Sequence, residues 1–286
     1  MNAKGGEYGN ALQAASFKNE MEIVKLLLVN GAEVNAEGGN YGNALQAASY
    51  MGCESIMELL LKNGAEVNAI GGEYGNALQA ASVNYEIAIV KLLLENGAEV
   101  NAKGGKYGNA LQGASYVGCE ANVELLLKYG AVVNAMGGEF GNALQAASSQ
   151  NYIATVKLLL ENGAEVNAEG GKYGNALQAA SYGRCEAIVK LLLEYGAEVN
   201  ARGGEYGNAL QAASSQNEIQ ATSSQMEIVK LLLENVAEVN AEGGKYGNAL
   251  QAASYGGYEA IVELLLEYGA IVNAMGGEYG RVKDSP

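Results

Sequence analysis

The chain has 286 residues, enough for one large domain or two ordinary ones, and carries 17 Lys and Arg against 32 Asp and Glu, a formal net charge of -15. Such a surface repels phosphate backbones and anionic bilayers, so neither nucleic acid nor a membrane is an expected partner. There is no His, and Asp284 is the only Asp, which removes His-based triads, His zinc sites and Asp-built magnesium or calcium sites.

The chain opens on Met1-Asn2-Ala3-Lys4-Gly5-Gly6, which lacks the apolar core of a secretory signal. Apolar runs such as Leu26-Leu27-Leu28 are too short to span a bilayer. No Asn-x-Ser/Thr sequon is present, and an intracellular, cytoplasmic location is expected.

Gly5-Gly6-Glu7-Tyr8-Gly9 then reads as a turn, and Asn10-Ala11-Leu12-Gln13-Ala14-Ala15-Ser16 as a helix start. A glycine-rich turn feeding a helix N-terminus is one way to cradle phosphate. Here the stretch recurs. Its aromatic falls at Tyr8, Tyr41, Tyr74, Tyr107, Phe140, Tyr173, Tyr206, Tyr246 and Tyr279, in steps of 33 residues except for one step of 40. A catalytic phosphate loop occurs once per domain, and these loops lack its Lys-Ser/Thr pair, so the glycine motif is architectural and no nucleotide or other cofactor is expected.

The third repeat shows the elements in order. Gly71-Gly72-Glu73-Tyr74-Gly75 is a turn with glycines available for positive φ. Asn76 stands where an N-cap belongs, and Gln79 completes an Asn-x-x-Gln capping box. The spacing predicts a short Ala-rich helix from Ala77 to about Asn84. A second follows from Glu86 to Glu95, apolar around most of its circumference as befits a helix between neighbours. Gly97 supplies the left-handed helix stop, and Ala98-Glu99-Val100-Asn101-Ala102 leads to the next turn. Two such helices cannot bury their own apolar faces, so each repeat is stable only when stacked.

Further along, a second period appears. Tyr50, Tyr116, Tyr182 and Tyr255 mark every other repeat, and Cys53, Cys119 and Cys185 share that 66-residue period, with Tyr258 in the fourth place. Repeats stacked at roughly 10 Å would keep these cysteines about 20 Å apart, so they are expected to stay unbridged and structural. Repeat seven carries seven extra residues within the stretch from Ser214 to Gln225 and has Val236 where its sisters have glycine. The insertion is expected to bulge opposite the hairpin tips, with a fresh helix cap at Ser224. This repeat is expected to divide the array into a larger N-terminal and a smaller C-terminal block. A ninth repeat stops at Gly280, leaving one array over residues 1–280 and a tail over 281–286.

Asn76-Ala77-Leu78-Gln79 resembles the Thr-Pro-Leu-His box of ankyrin repeats, and the stretch from Ile89 to Ala102 is similar to that family's second helix and exit. The resemblance implies an all-α fold, an ankyrin-type α-solenoid of stacked helix-turn-helix units joined by hairpin-like loops. It also implies a non-catalytic scaffold that recognises a partner protein through hairpin tips and the concave helix surface. The near-identical GGxYGNALQAAS units resemble fungal arrays, including those of immune-like receptors. On that footing the alternative is a fragment or degenerate remnant of a larger receptor-like protein, without independent activity.

The first helix scarcely changes between repeats, so discrimination falls to the positions around each Gly-Gly pair. Before the pair stand Glu37, Ile70, Lys103, Met136, Glu169, Arg202 and Glu242, a row continued by Lys4 and Met275. After it stand Asn40, Glu73, Lys106, Glu139, Lys172, Glu205 and Lys245, a row continued by Glu7 and Glu278. The tip tyrosines are expected to pack hairpin against hairpin. Leu12 at one end, and Ile261, Leu264 and Leu265 at the other, read as interior positions left uncovered, so end-to-end self-association is expected.

Overall fold

The computed structural model describes residues 5–215 and 223–274. Among these are sixteen α-helices and no strand beyond isolated bridges. The chain divides between Glu139 and Phe140 into two compact units. The first holds α1 (Ala11–Phe17), α2 (Met21–Val29), α3 (Ala44–Tyr50), α4 (Glu54–Lys62), α5 (Ala77–Ser82), α6 (Ile87–Glu95), α7 (Ala110–Val117) and α8 (Glu120–Lys128). The second holds α9 (Ala143–Ser149), α10 (Ile153–Glu161), α11 (Ala176–Tyr182), α12 (Glu186–Glu194), α13 (Ala209–Ser214), α14 (Ser223–Glu234), α15 (Ala249–Gly256) and α16 (Glu259–Glu267).

Within each unit the odd-numbered helices pack side by side in one layer and the even-numbered ones back them in a second. The first layer is close-packed because its residues are small. In α3, Ala44, Leu45, Gln46, Ala47, Ala48 and Ser49 are all buried, and the Ser49 hydroxyl donates to Leu45 O at 2.6 Å. The second layer contributes Ile56, Met57 and Leu60 from α4 and their counterparts in other repeats. Each such fully buried side chain contributes about 1.5–3 kcal/mol. Gly97 takes the left-handed stop at φ 84°. The helices α5 and α6 begin and end within two residues of the expected bounds.

The capping box needs correction. Every fully described first helix has its Asn side chain accepting from the Gln N–H, as Asn76 does from Gln79 at 2.9 Å. The reciprocal bond from Gln back to the Asn N–H is met only in repeat five, between Asn142 and Gln145. The Gln amide reaches forward instead. Gln13 Nε2 donates to Ala36 O, Gly38 O and Gly42 O at 3.2, 3.1 and 2.8 Å. Three converging carbonyls of the next hairpin outbid one local N–H for a buried amide.

Repeat seven differs from expectation as well. Ser224 lies inside α14 rather than capping it, because the helix runs three residues beyond its nine-residue sisters. Gln225 anchors that extra turn by donating to Ala213 O at 2.8 Å. The compact units do not part at this repeat: Asn200 still donates to Val236 O at 3.0 Å and Gln211 to Ala241 O at 2.9 Å. Most of the insertion, the ninth repeat with Met275 and Glu278, the tail over 281–286 and Lys4 lie outside the described residues.

Candidate functional site

Each hairpin closes through a glycine pair, as Gly38 N donates to Gly42 O at 2.8 Å. Successive tips then join by their backbones. Asn40 N donates to Glu7 O at 2.8 Å, Glu73 N to Asn40 O at 2.7 Å, Lys106 N to Glu73 O at 2.9 Å and Glu139 N to Lys106 O at 3.1 Å. In the second unit Glu205 N donates to Lys172 O, and Lys245 N to Glu205 O, both at 2.9 Å. That approach requires glycine. A Cβ on Gly39 would fall 2.6 Å from Glu7 O, and one on Gly42 would land on Gln46 Oε1. The tip amides that could have cradled a phosphate are therefore taken by the neighbouring hairpin.

The tip aromatics pack, as expected. Tyr8, Tyr41, Tyr74 and Tyr107 stack with centroids 6.2–6.5 Å apart, closer than the roughly 10 Å repeat spacing expected from helices. The glycines let the hairpins close up at this edge. Tyr50 wedges in at 5.3 Å from Tyr41 and 4.8 Å from Tyr74, and in the second unit Tyr182 does the same between Tyr173 and Tyr206. Phe17 holds the equivalent place in repeat one, 5.0 Å from Tyr8 and 4.8 Å from Tyr41. Sequence reasoning missed it because only tyrosine was counted at that register. Burial, then the hydrogen bonds to Tyr50 and Tyr182, hold the Tyr74 and Tyr206 phenols far above their usual range. Burial and the adjacent Tyr116 push Tyr107 up to about 12. Such phenols are poor bases near neutral pH. Cys53, Cys119 and Cys185 are buried and unbridged, and burial pushes their thiols up, Cys185 to about 11. They are correspondingly inert. Among the described residues no group of three or more acidic or Cys side chains could hold a metal ion.

The fourteen tip residues singled out in the sequence lie along this edge, in two sets that follow the two compact units. All are exposed except Lys245, which is half-buried. In the row after the glycines the charge alternates: Glu73, Lys106, Glu139 in the first unit and Lys172, Glu205, Lys245 in the second. Alternation suits tips whose backbones are hydrogen-bonded, since like charges directly opposite would repel. Lys245 Nζ lies 3.7 Å from Glu205, and Arg202 pairs with Glu238 at 3.1 Å. Lys106, Lys172 and Lys245 each sit over the ring of the next tyrosine, 5.6–5.8 Å from its centroid.

The concave helix surface is a correction. The expected exposed side of the first helix is absent: α3, α5, α9, α11 and α13 are buried apart from their last residues in α3 and α11. The aromatic ladder packs where that side would have been open. A clamp was also missed. Asn35 Nδ2 donates to Gly64 O at 3.0 Å while Glu66 N donates back to Asn35 Oδ1 at 2.9 Å, and Asn68, Asn101, Asn167, Asn200 and Asn240 repeat the pair. Its signal was the unvarying Asn of the Val-Asn-Ala exit. At the array's described C-terminal end, a cavity of about 330 Å³ is lined by Leu250, Tyr255, Val262, Leu266 and Val272 among others. The uncovered apolar residues at the two ends are Ile23 and Leu26, and Leu266 and Val272. Leu12, Ile261 and Leu265, expected there, are buried.

Comparison with known proteins agrees with this geometry. A family model for ankyrin repeats in three copies matches residues 1–71 and 137–203, and a single ankyrin repeat model matches residues 248–276, together more than half of the chain. No curated protein matches the chain. Among 522 matching solved chains is the crystal structure of the human ASB11 ankyrin repeat domain. It is 25% identical with a TM-score of 0.64, over 77% of this chain and 97% of that one.

Proposed function

The chain belongs to the ankyrin-repeat family, and from that membership we propose that it is a non-catalytic scaffold recognising a partner protein through its hairpin tips. Ankyrin repeats generally mediate protein–protein interaction. The contrast within each hairpin supports the tips as the contact. Glycine, glutamine and tyrosine positions are fixed by packing, while the exposed residues on either side of the Gly-Gly pair vary in charge and size. Ile70 and Met136 add exposed apolar positions on either side of Lys103. The absence of His from the sequence, and tyrosines and thiols held protonated by burial, favour binding over catalysis. Kinship with fungal receptor arrays rests on the GGxYGNALQAAS units, and a nucleotide-binding region encoded beside this chain would support it.

The test is capture of partners with the unmodified chain and with a variant in which Lys103, Lys106, Lys172 and Arg202 are all changed to Glu. These side chains are exposed, so the far-UV spectrum should not change, and an acidic partner should bind at least about tenfold more weakly. A partner that binds both forms equally, and is lost instead on substitution of Tyr50 or Tyr116, would overturn the tip assignment.

A further inference from the structure

The repeats are near copies, so each internal interface shows what the uncovered faces at the two ends fit. In the second unit Leu233 of repeat seven is 6% exposed because repeat eight covers it, and its counterpart Leu266 is 42% exposed. Val229 is fully buried while its counterpart Val262 is half-buried. Val272 is 72% exposed although every described counterpart is half-buried. Asn240 clamps the next repeat through Gly269 O and Ile271 N, whereas Asn273 makes no such bonds among the described residues. The cavity of about 330 Å³ lies in the surface these residues form.

The opposite face is uncovered in repeat one. Ile23 is 48% exposed where Ile56 is 0%, and Leu27 is half-buried where Leu60 is fully buried. Ala11 is exposed where Ala44 is buried. Among the described residues no other first-and-second helix pair leaves this face open. We propose that α1 and α2 of a second copy of this chain dock on the face formed by α15 and α16, continuing the stacking that joins adjacent repeats inside each compact unit. One leading and one trailing face per copy make a heterologous contact, so association is not limited to dimers. The sequence Gly-Gly-Glu-Tyr-Gly occurs at both 5–9 and 276–280, so the arriving hairpin competes with the chain's own copy. It brings with it the two helices that residues 281–286 cannot supply. A net charge of -15 on each copy opposes the contact, which makes it salt-strengthened.

Sedimentation of the unmodified chain from about 1 to about 200 µM should show the mass rising with concentration, and more steeply at about 0.5 M salt. A trailing-face variant, Leu266→Glu with Val272→Glu, should stay monomeric, as should a leading-face variant, Ile23→Glu with Leu26→Glu. Mixed in equal amounts, the two should form a 1:1 dimer and stop there, because each retains one intact face. All four positions are exposed, so circular dichroism should not change. A variant that still associates alone, or a mixture that stays monomeric, would overturn the proposal. So would an unmodified chain that is monomeric throughout with slow amide exchange over 262–272, which would put the chain's own residues 275–286 on the face.

Discussion

At the scale of single residues, Gln46 shows how tightly the recurring positions are bound together. Its N–H is capped by Asn43 at 2.9 Å, its Nε2 donates to Ala69 O and Gly75 O at 2.9 and 3.0 Å, and its Oε1 fills the space a Cβ on Gly42 would need. Glycine and glutamine four residues apart are thus one device, and neither varies without the other. The tyrosines carry a consequence for pH. Burial favours the neutral phenol, so the folded-state pKa of Tyr107, about 12, stands above the ordinary 10.0. A group raised in this way contributes stability that is complete below about pH 10 and lost as the pH climbs toward about 12. Melting temperature should therefore hold steady to about pH 9.5 and then fall, and Tyr107→Phe should make that fall shallower. Parallel curves for the two proteins would mean that Tyr107 ionises as freely in the fold as in the unfolded chain.

At the scale of helices, two of the second-layer elements carry a polar residue where their sisters have isoleucine. Ile56, Ile188, Ile228 and Ile261 occupy a position taken by Asn122 in α8 and Thr155 in α10, all of them buried. Asn122 Nδ2 donates to Asn84 O at 2.7 Å, so replacing it would orphan a carbonyl. Thr155 has no hydrogen-bond partner for its buried hydroxyl. Valine has the same shape without that cost, and Thr155→Val should raise the unfolding free energy by about 1 kcal/mol in chemical denaturation. A loss of stability would show that the hydroxyl is satisfied by an internal water. The helices themselves were legible in the sequence, because period, N-cap Asn and stop glycine act within a few residues of one another. The forward reach of Gln13 and the clamp at Asn35 were not, since their partners lie 23 to 31 residues away and the side chains read equally well as local caps. Burial of the first helix was also hidden. Ala, Ser and Gln suit a solvent face as readily as a tight one, and only the ladder of Tyr41, Tyr50 and Tyr74 decides between them. Of the candidate site, variation at the tips was readable, whereas the backbone bonds that force the charges of Glu73 and Lys106 to alternate were not.

At the scale of the molecule, stability in a repeat protein is a sum of repeat and interface terms, so the weakest repeat sets where the stack opens. Repeat seven has the strained backbone. Val236 is held at φ 66° in the left-handed region, where Gly163, Gly196 and Gly269 stand at 83–86° in its sister repeats. Its surroundings do not relax the strain, because Asn200 holds Val236 O at 3.0 Å and Val236 N donates to Leu233 O at 3.0 Å, as the glycines do. The side chain, 78% exposed, gains nothing from packing in return. A β-branched residue in that conformation costs about 1–2 kcal/mol, which exceeds the roughly 1 kcal/mol from any one clamp bond. The extra turn of α14 offsets part of this through Gln225, though a single buried bond to Ala213 O contributes no more than the others. Amides of α14 should therefore exchange faster than those of α10 or α12, by roughly tenfold for a 1.4 kcal/mol deficit. Val236→Gly should close most of that gap while leaving α10 and α12 unchanged, since relief of the strain acts on the repeat that carries it. Equal protection in all three helices, with no gain from the glycine, would mean that the strain is absorbed by the repeats on either side rather than stored where Val236 sits.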